Sequence, residues 1–126
     1  MDLKALVVSR QAVAEEAIAK TLHGLVSIVD ETGDVMPLAE LGKLDGLAKI
    51  LAYLLGRRAA VTLGLCKSPS ATPEQIAGAV GMDVQRVREY LSRAKGKNLD
   101  KTRDGYEIPI PRVPSVCEEI NARRKS

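Results

Sequence analysis

Residues 72–91 read TPEQIAGAVGMDVQRVREYL, and this stretch carries the start and stop signals of two consecutive short helices. Thr72 begins a Thr-Pro-Glu-Gln capping box with proline at the first helical position. Gly81 is the residue type that ends a helix in the left-handed conformation, and Asp83 predicts the N-cap of the second helix. Two short helices joined by a tight glycine-containing turn form the unit that places a helix in a DNA groove.

The apolar residues of this stretch recur at helical spacing, which separates an inner face from an outer one. In the first helix the inner residues are Ile76, Ala77 and Val80. In the second helix the inner residues are Val84, Val87, Leu91 and Ala94. The residues that point away from them are polar: Gln85, Arg86, Glu89, Ser92 and Arg93.

Residues 98–110 follow the second helix and predict a two-stranded hairpin. Asp104-Gly105 is a strong local hairpin signal between two short segments. The second strand is expected to be half-buried, because apolar residues alternate along it at Tyr106, Ile108 and Ile110. Two prolines in this strand keep it short and suit an edge position.

The order helix, turn, helix and two-stranded ribbon resembles the winged helix-turn-helix superfamily. The resemblance covers residues 44–110 if the apolar segment before Thr72 supplies the first helix. The wider pattern SATPEQIAGAVGMD followed by GYEIP is similar to small archaeal winged-helix proteins. The resemblance implies a mainly α fold with small β-hairpins. It also implies that the recognition helix, residues 83–95, enters the major groove while the wing, residues 98–110, touches the DNA backbone.

The outer face of the recognition helix has the residue types that DNA recognition requires. Arginine can bond guanine O6 and N7, and glutamine can bond adenine N6 and N7, so Gln85 and Arg86 are the predicted base contacts. Glu89 either accepts from cytosine N4 or braces a neighbouring arginine. The predicted phosphate contacts are Thr72, Ser92, Arg93, Lys95, Lys97, Lys101 and Arg103. For Lys95 the alternative is a side chain that snorkels along the apolar seam.

The charge of the chain is uneven and favours an anionic partner for its second half. The net charge is +3 over 126 residues. Residues 84–126 hold 11 Lys or Arg and 6 Asp or Glu, a net +5, whereas residues 1–83 hold 8 and 10, a net −2. A solvated surface helix is the alternative explanation. Aromatic residues make up only 2% of the chain, which disfavours the base stacking used by single-strand and RNA binders.

Residues 1–43 are predicted to form an N-terminal extension, and residues 44–112 the winged helix-turn-helix domain. A helix over residues 9–22 precedes a hairpin, in which residues 25–29 and 35–38 flank an acidic turn and Gly33 takes a positive φ. The extension is interpreted as an arm or a dimerisation element, with a degenerate second helix-and-wing copy as the alternative.

Residues 44–65 are the most apolar stretch of the chain and predict a helix that is covered on most sides. A chain this small has difficulty covering such a helix alone, so the sequence predicts a homodimer that buries it across a two-fold axis. Gly56-Arg57-Arg58 interrupts the apolar run and is expected to kink the helix or to divide it in two.

Residues 113–126 are predicted to form a C-terminal helix with a basic tail. Ser115 and Glu118 have capping-box spacing, and Val116, Cys117 and Ile120 form a narrow apolar stripe. The tail Arg123-Arg124-Lys125 is either a frayed solvated end or a DNA arm. Cys66 and Cys117 lack metal-site spacing and are expected to be small buried residues, with a disulfide between them as the alternative.

The sequence does not favour an enzyme, and it predicts no cofactor, metal or small-molecule ligand. His23 is the only histidine and suits a helix C-terminus, and no phosphate-cradling glycine motif occurs. Residues 1–8 are too short an apolar run for a signal peptide or membrane span, so a cytoplasmic protein without membrane association is expected.

These observations together predict a homodimer that binds double-stranded DNA, as a regulator of transcription. The competing hypothesis is a winged-helix module for protein–protein contacts in a replication, transcription or chromatin complex. One fold hosts both functions, and the modest total charge with its acidic first half keeps the competing hypothesis open.

Overall fold

The computed structural model describes residues 10–125 of the chain, with side chains from residue 15 onward. It is mainly helical with two small antiparallel hairpins, which confirms the predicted class at that level. The elements in chain order are α1 (Arg10–Leu22), β1 (Val26–Ile28), β2 (Val35–Pro37), a 3-10 helix (Ala39–Lys43), α2 (Gly46–Thr62), α3 (Pro73–Val80), α4 (Val84–Ala94), β3 (Asp100–Thr102), β4 (Gly105–Glu107), a second 3-10 helix (Ile110–Arg112) and α5 (Val113–Lys125).

Helix α2 is the centre of the core. Asp45 caps its N-terminus by accepting from the amide of Ala48 at 2.9 Å. Residues 50–55 are all buried. The chain itself covers this helix, because α1, α3, α4, α5 and strands of both hairpins pack around it. Residues 50–55 therefore need no partner chain for their cover, whereas Leu63 near the end of the segment is 65% exposed, and the homodimer stays a prediction.

Helix α2 also runs unbroken through Gly56-Arg57-Arg58, so the expected division is wrong, while a kink stays a prediction. Glycine is present there because hairpin β1–β2 packs directly on the helix: a Cβ at Gly56 would lie 2.8 Å from Cγ1 of Val35. The side chains of both arginines extend from the helix to other segments, where their guanidinium groups donate hydrogen bonds.

The described part of the N-terminal extension shares the core of the rest of the chain. Its buried members in that core are Ile18, Leu22, Leu25, Val35 and Leu41. The predicted hairpin is present, with β1 and β2 antiparallel and Gly33 at φ +76°. A role of this segment in dimerisation stays a prediction. The prediction for residues 1–8 lies outside the described residues, and within the described range no helix has the length and hydropathy that crossing a bilayer requires.

Helices α3 and α4 begin and end where their capping residues predict. The Oγ1 atom of Thr72 accepts from the amide of Gln75 at 3.2 Å, and Oε1 of Gln75 accepts from the amide of Thr72 at 2.8 Å. Gly81 ends α3 at φ +71°. Oδ2 of Asp83 then accepts from the first amides of α4. Of the predicted inner residues, Ile76, Ala77, Val87, Leu91 and Ala94 are buried, while Val80 and Val84 are half-buried.

Hairpin β3–β4 is joined to the chain just before α3. Lys101 pairs with Tyr106 within the hairpin, and Tyr106 also exchanges two backbone hydrogen bonds with Ala71, of 3.0 and 2.9 Å. Gly105 makes this close approach feasible: its φ is +134°, and a Cβ there would lie 2.3 Å from the carbonyl oxygen of Ala71. The hairpin is therefore anchored on both sides of its second strand.

The second strand is shorter than predicted. It ends at Glu107, and Ile110 starts the second 3-10 helix with 39% of its surface exposed. The prediction that Ile110 alternates inward is wrong, because the prolines at 109 and 111 have no amide to continue the ladder. Ile108 is buried as expected.

Helix α5 starts earlier than its capping-box spacing predicts. The second 3-10 helix runs directly into it at Val113, so Ser115 is already helical and the predicted N-cap is wrong. Two residues of the basic tail are bound within the fold, which contradicts a solvated end for them: Arg123 binds Glu119 and Asp45, and Arg124 donates to the carbonyl of Thr21 at 2.8 Å.

Both cysteines are free thiols, which contradicts the disulfide alternative. Cys117 is buried in the core as expected, and this burial raises the pKa of its thiol. Cys66 is only half-buried, and its Sγ lies 3.2 Å from the carbonyl oxygen of Ser68.

Candidate nucleic-acid interface

Helix α4 presents one polar face to solvent, here called the outer face of α4. All five of its predicted members are exposed: Gln85, Arg86, Glu89, Ser92 and Arg93. Among the described residues, neither Arg86 nor Arg93 has a side-chain hydrogen bond or a carboxylate partner. Two guanidinium groups on this helix are therefore available to an external acceptor.

A basic groove of about 770 Å³ lies between the start of α3, one edge of α4 and hairpin β3–β4. Its lining combines four cationic side chains with several hydroxyl groups and one carboxylate. The cationic members are Arg57, Arg88, Lys101 and Arg103, and the carboxylate is Asp104. This balance of charge suits an anionic ligand.

The groove brings together three of the predicted phosphate contacts, Thr72, Lys101 and Arg103. The Nζ atom of Lys101 lies 6.0 Å from the centre of the Tyr106 ring, at the outer limit of a cation–π contact. Lys95 and Lys97 are exposed in the turn that follows α4 and do not line this groove within the described part of the chain. Their positions are fixed indirectly, because Arg112 donates to the carbonyls of that turn.

The start of α3 has fewer open amides than expected. The amide of Thr72 bonds Gln75, and Pro73 has no N–H to offer. The Glu74 carboxylate pairs with Arg88 and lies close to its own backbone amide. These two contacts, the amide first, lower the pKa of Glu74. A phosphate at this helix end would therefore meet a carboxylate that already occupies the site.

Two arginines of the groove were not among the predicted contacts. Arg88 lies at the margin between the inner and outer faces of α4. Dividing the helix into only these two faces therefore leaves Arg88 unassigned. Arg57 donates from Nη2 to the carbonyl of Ser68 at 3.0 Å, and its buried Nε has no hydrogen-bond partner among the described residues. The sequence feature that points to Arg57 is a charge inside an apolar helix, but the same feature also predicts a kink or division of the helix.

A largely buried ionic network sets the position of the hairpin. Arg58 of α2 donates to Glu107 at 2.7 Å and to the carbonyl of Ile108 at 3.0 Å. Ser70 donates to the other oxygen of Glu107 at 3.1 Å and lies 2.9 Å from the hydroxyl of Thr102. The side chains of Arg58 and Glu107 are 13% and 20% exposed, so this pair sits mostly out of water.

Comparison of the chain with models of protein families, with curated proteins and with solved structures finds no match. The interface consequently rests on the exposure, charge and contacts of its own residues.

Proposed function

We propose that this protein binds double-stranded DNA as a homodimeric winged-helix protein and regulates transcription. In this proposal α4 enters the major groove, and hairpin β3–β4 is the wing that contacts the DNA backbone. The observation that carries it is the outer face of α4, where Arg86 and Arg93 are exposed and have no carboxylate partner among the described residues. The basic groove lies at a different edge of the same helix, where Arg88 lines it.

The arrangement of elements supports this proposal. Helix α2, the short turn between α3 and α4, and hairpin β3–β4 follow in the order of a winged helix-turn-helix. The hairpin is held to α2 by Arg58 and to the segment before α3 by Ala71, so the backbone that carries its cations has a fixed position in the fold. Preorganised cations lose less conformational freedom when they bind phosphate than mobile ones do.

Arg86→Ala is expected to weaken binding to a preferred duplex by about 1–3 kcal/mol and to relax the preference at one base pair. The reason is that Arg86 lies in the first turn of α4, the end that reaches base edges in this geometry. The preferred duplex is obtained by selection from random DNA, and affinity is measured by fluorescence anisotropy. Arg86→Lys is the matched variant, since it keeps the charge but not the bidentate fork. An unchanged preference in both variants would remove Arg86 from the base contacts.

Lys101→Ala is expected to weaken binding to all duplexes alike and to reduce the slope of log affinity against log salt by about one. Lys101 lines the basic groove and carries no base-reading geometry. The measurement is a salt titration from low to physiological ionic strength. Lys20→Ala is the control, because Lys20 is an exposed lysine of α1 that pairs with Glu16. Equal slopes in all three proteins would contradict a phosphate contact.

A second candidate function is the assembly of a protein complex, and a separate surface favours it. An apolar cleft of about 390 Å³ lies between α1, β1 and the end of α2, and Leu63 at its rim is 65% exposed. Ala59 lines this cleft, whereas Arg57 lines the basic groove. Residues two apart on a helix point about 200° apart, so the two surfaces lie on opposite sides of α2. A wild-type protein without duplex affinity at low salt would favour assembly over DNA binding.

The homodimer is tested by light scattering at the concentrations used for DNA binding. A monomer under these conditions would contradict it. Half-site symmetry in the selected duplexes provides an independent check, because a two-fold dimer binds two related half-sites.

A further inference from the structure

Arg88 lies where α4, α3 and the basic groove meet. It lines the groove together with Lys101 and Arg103, and its side chain is 47% exposed. Unlike Arg86 and Arg93, it is bound to a carboxylate, because its Nη2 donates to Oε1 of Glu74. Arg88 is therefore the cation of α4 that faces the groove and is occupied by the protein itself.

Glu74 is the second residue of α3 and sits beside the groove. Its side chain is 61% exposed and accepts a hydrogen bond from Arg88. An exposed pair of this kind contributes little net stability, because water competes for both partners and the long side chains lose freedom. A stronger acceptor can therefore replace Glu74 as the partner of Arg88 at a small cost in free energy.

We propose that Arg88 is a further phosphate-binding residue of the interface, and that the Glu74 carboxylate occupies its guanidinium group in the free protein and is exchanged for a DNA phosphate on binding. This inference rests on the proposed function. A phosphodiester offers oxygens that match the guanidinium fork, and the neighbouring cations of the groove favour the same anion. The Arg88–Glu74 pair must open before the phosphate binds, so Glu74 limits the affinity by competing for Arg88.

The test is the substitution Glu74→Gln, which keeps the shape of the side chain and removes its charge. We expect affinity for a random duplex at low salt to rise about two- to five-fold, the range of an exposed ion pair. The salt slope is expected to steepen by about one, because Arg88 now neutralises a phosphate without losing a protein partner. Glu118→Gln is the matched control: it changes the net charge equally on the exposed face of α5. That control is expected to bind as the wild type does.

The role of Arg88 is isolated by a double-mutant cycle with Arg88→Gln. We expect Glu74→Gln to increase neither affinity nor slope when Arg88 is already glutamine. The same increase with and without Arg88 would overturn the inference, since Glu74 would then act only through its field. An effect of Glu74→Gln no larger than that of Glu118→Gln would overturn it as well.

Failure of the inference is distinguishable from failure of the proposed function. If the wild type binds duplex DNA and Glu74→Gln has no effect, only the inference fails. If no duplex binds, the proposed function fails, and inorganic tripolyphosphate serves as the probe while the side-chain Nε–H resonance of Arg88 is followed by NMR. A shift of this resonance that is larger in Glu74→Gln supports an anion site at Arg88, and an unmoved resonance overturns it.

Discussion

Replacing Arg58 by methionine is expected to lower the free energy of unfolding by about 3–5 kcal/mol, the cost of leaving one member of a buried ion pair without its partner. Glu107 would keep only the hydroxyl of Ser70 as a donor, in a position where its side chain is 20% exposed. Denaturant titration followed by circular dichroism measures the loss. The double variant Arg58→Met/Glu107→Leu is expected to recover most of it, because it leaves no charge behind.

The same variant tests whether this network positions hairpin β3–β4. The amides of Ala71 and Tyr106 bond each other's carbonyls beside the network, so their hydrogen exchange reports on the hairpin. We expect Arg58→Met to accelerate the hydrogen exchange of both amides relative to the wild type. The acceleration should be larger at these two amides than at the amides of α1. A loss of less than about 1 kcal/mol, the range of an exposed pair, would show that water reaches Glu107 and that the pair does not anchor the hairpin.

Local signals in the sequence predicted α3, the turn and α4 because the bonds that define them join residues at most five positions apart. Thr72 caps with Gln75, and Asp83 caps with the amides of Gln85 and Arg86. The exposure of the outer face of α4 followed from the helical period for the same reason. Such features need no knowledge of the remaining chain.

Long-range partners could not be predicted in this way. Arg58 finds Glu107 across 49 positions, and Arg124 finds the carbonyl of Thr21 across 103. An arginine inside an apolar helix has the same local appearance whether it breaks the helix or leaves it toward a distant acceptor. The tail arginines likewise have the same local sequence whether they are solvated or bound.

The covering of α2 shows a second limit of the sequence. An apolar helix requires cover, but its sequence does not say from which chain the cover comes. Here part of the cover comes from the described part of the N-terminal extension, through Ile18 and Leu22 of α1. Another part comes from α5, through Val116 and Ile120. The local sequence of the extension fits an arm or a dimerisation element, whereas its contribution to the core depends on the fold of the whole chain.

Replacing Leu54 by alanine is expected to lower the free energy of unfolding by about 2–5 kcal/mol, the range for removing a fully buried leucine side chain. Leu54 lies in the middle of α2 with none of its surface exposed. Its burial arises within one chain, so the difference between variant and wild type should not change with protein concentration. The free energy of unfolding is measured by denaturant titration at two protein concentrations roughly 30-fold apart, a range that circular dichroism and fluorescence together cover.

Leu63→Ala is the matched control, because it makes the same substitution at the end of the same helix where the leucine is 65% exposed. A change within about 0.5 kcal/mol is expected there, as for other surface positions. If the cost of Leu54→Ala instead grew with dilution, a partner chain would have to contribute to the cover of Leu54. A cost close to that of Leu63→Ala would contradict the central position of α2 altogether, because a buried leucine cannot lose its contacts as cheaply as an exposed one.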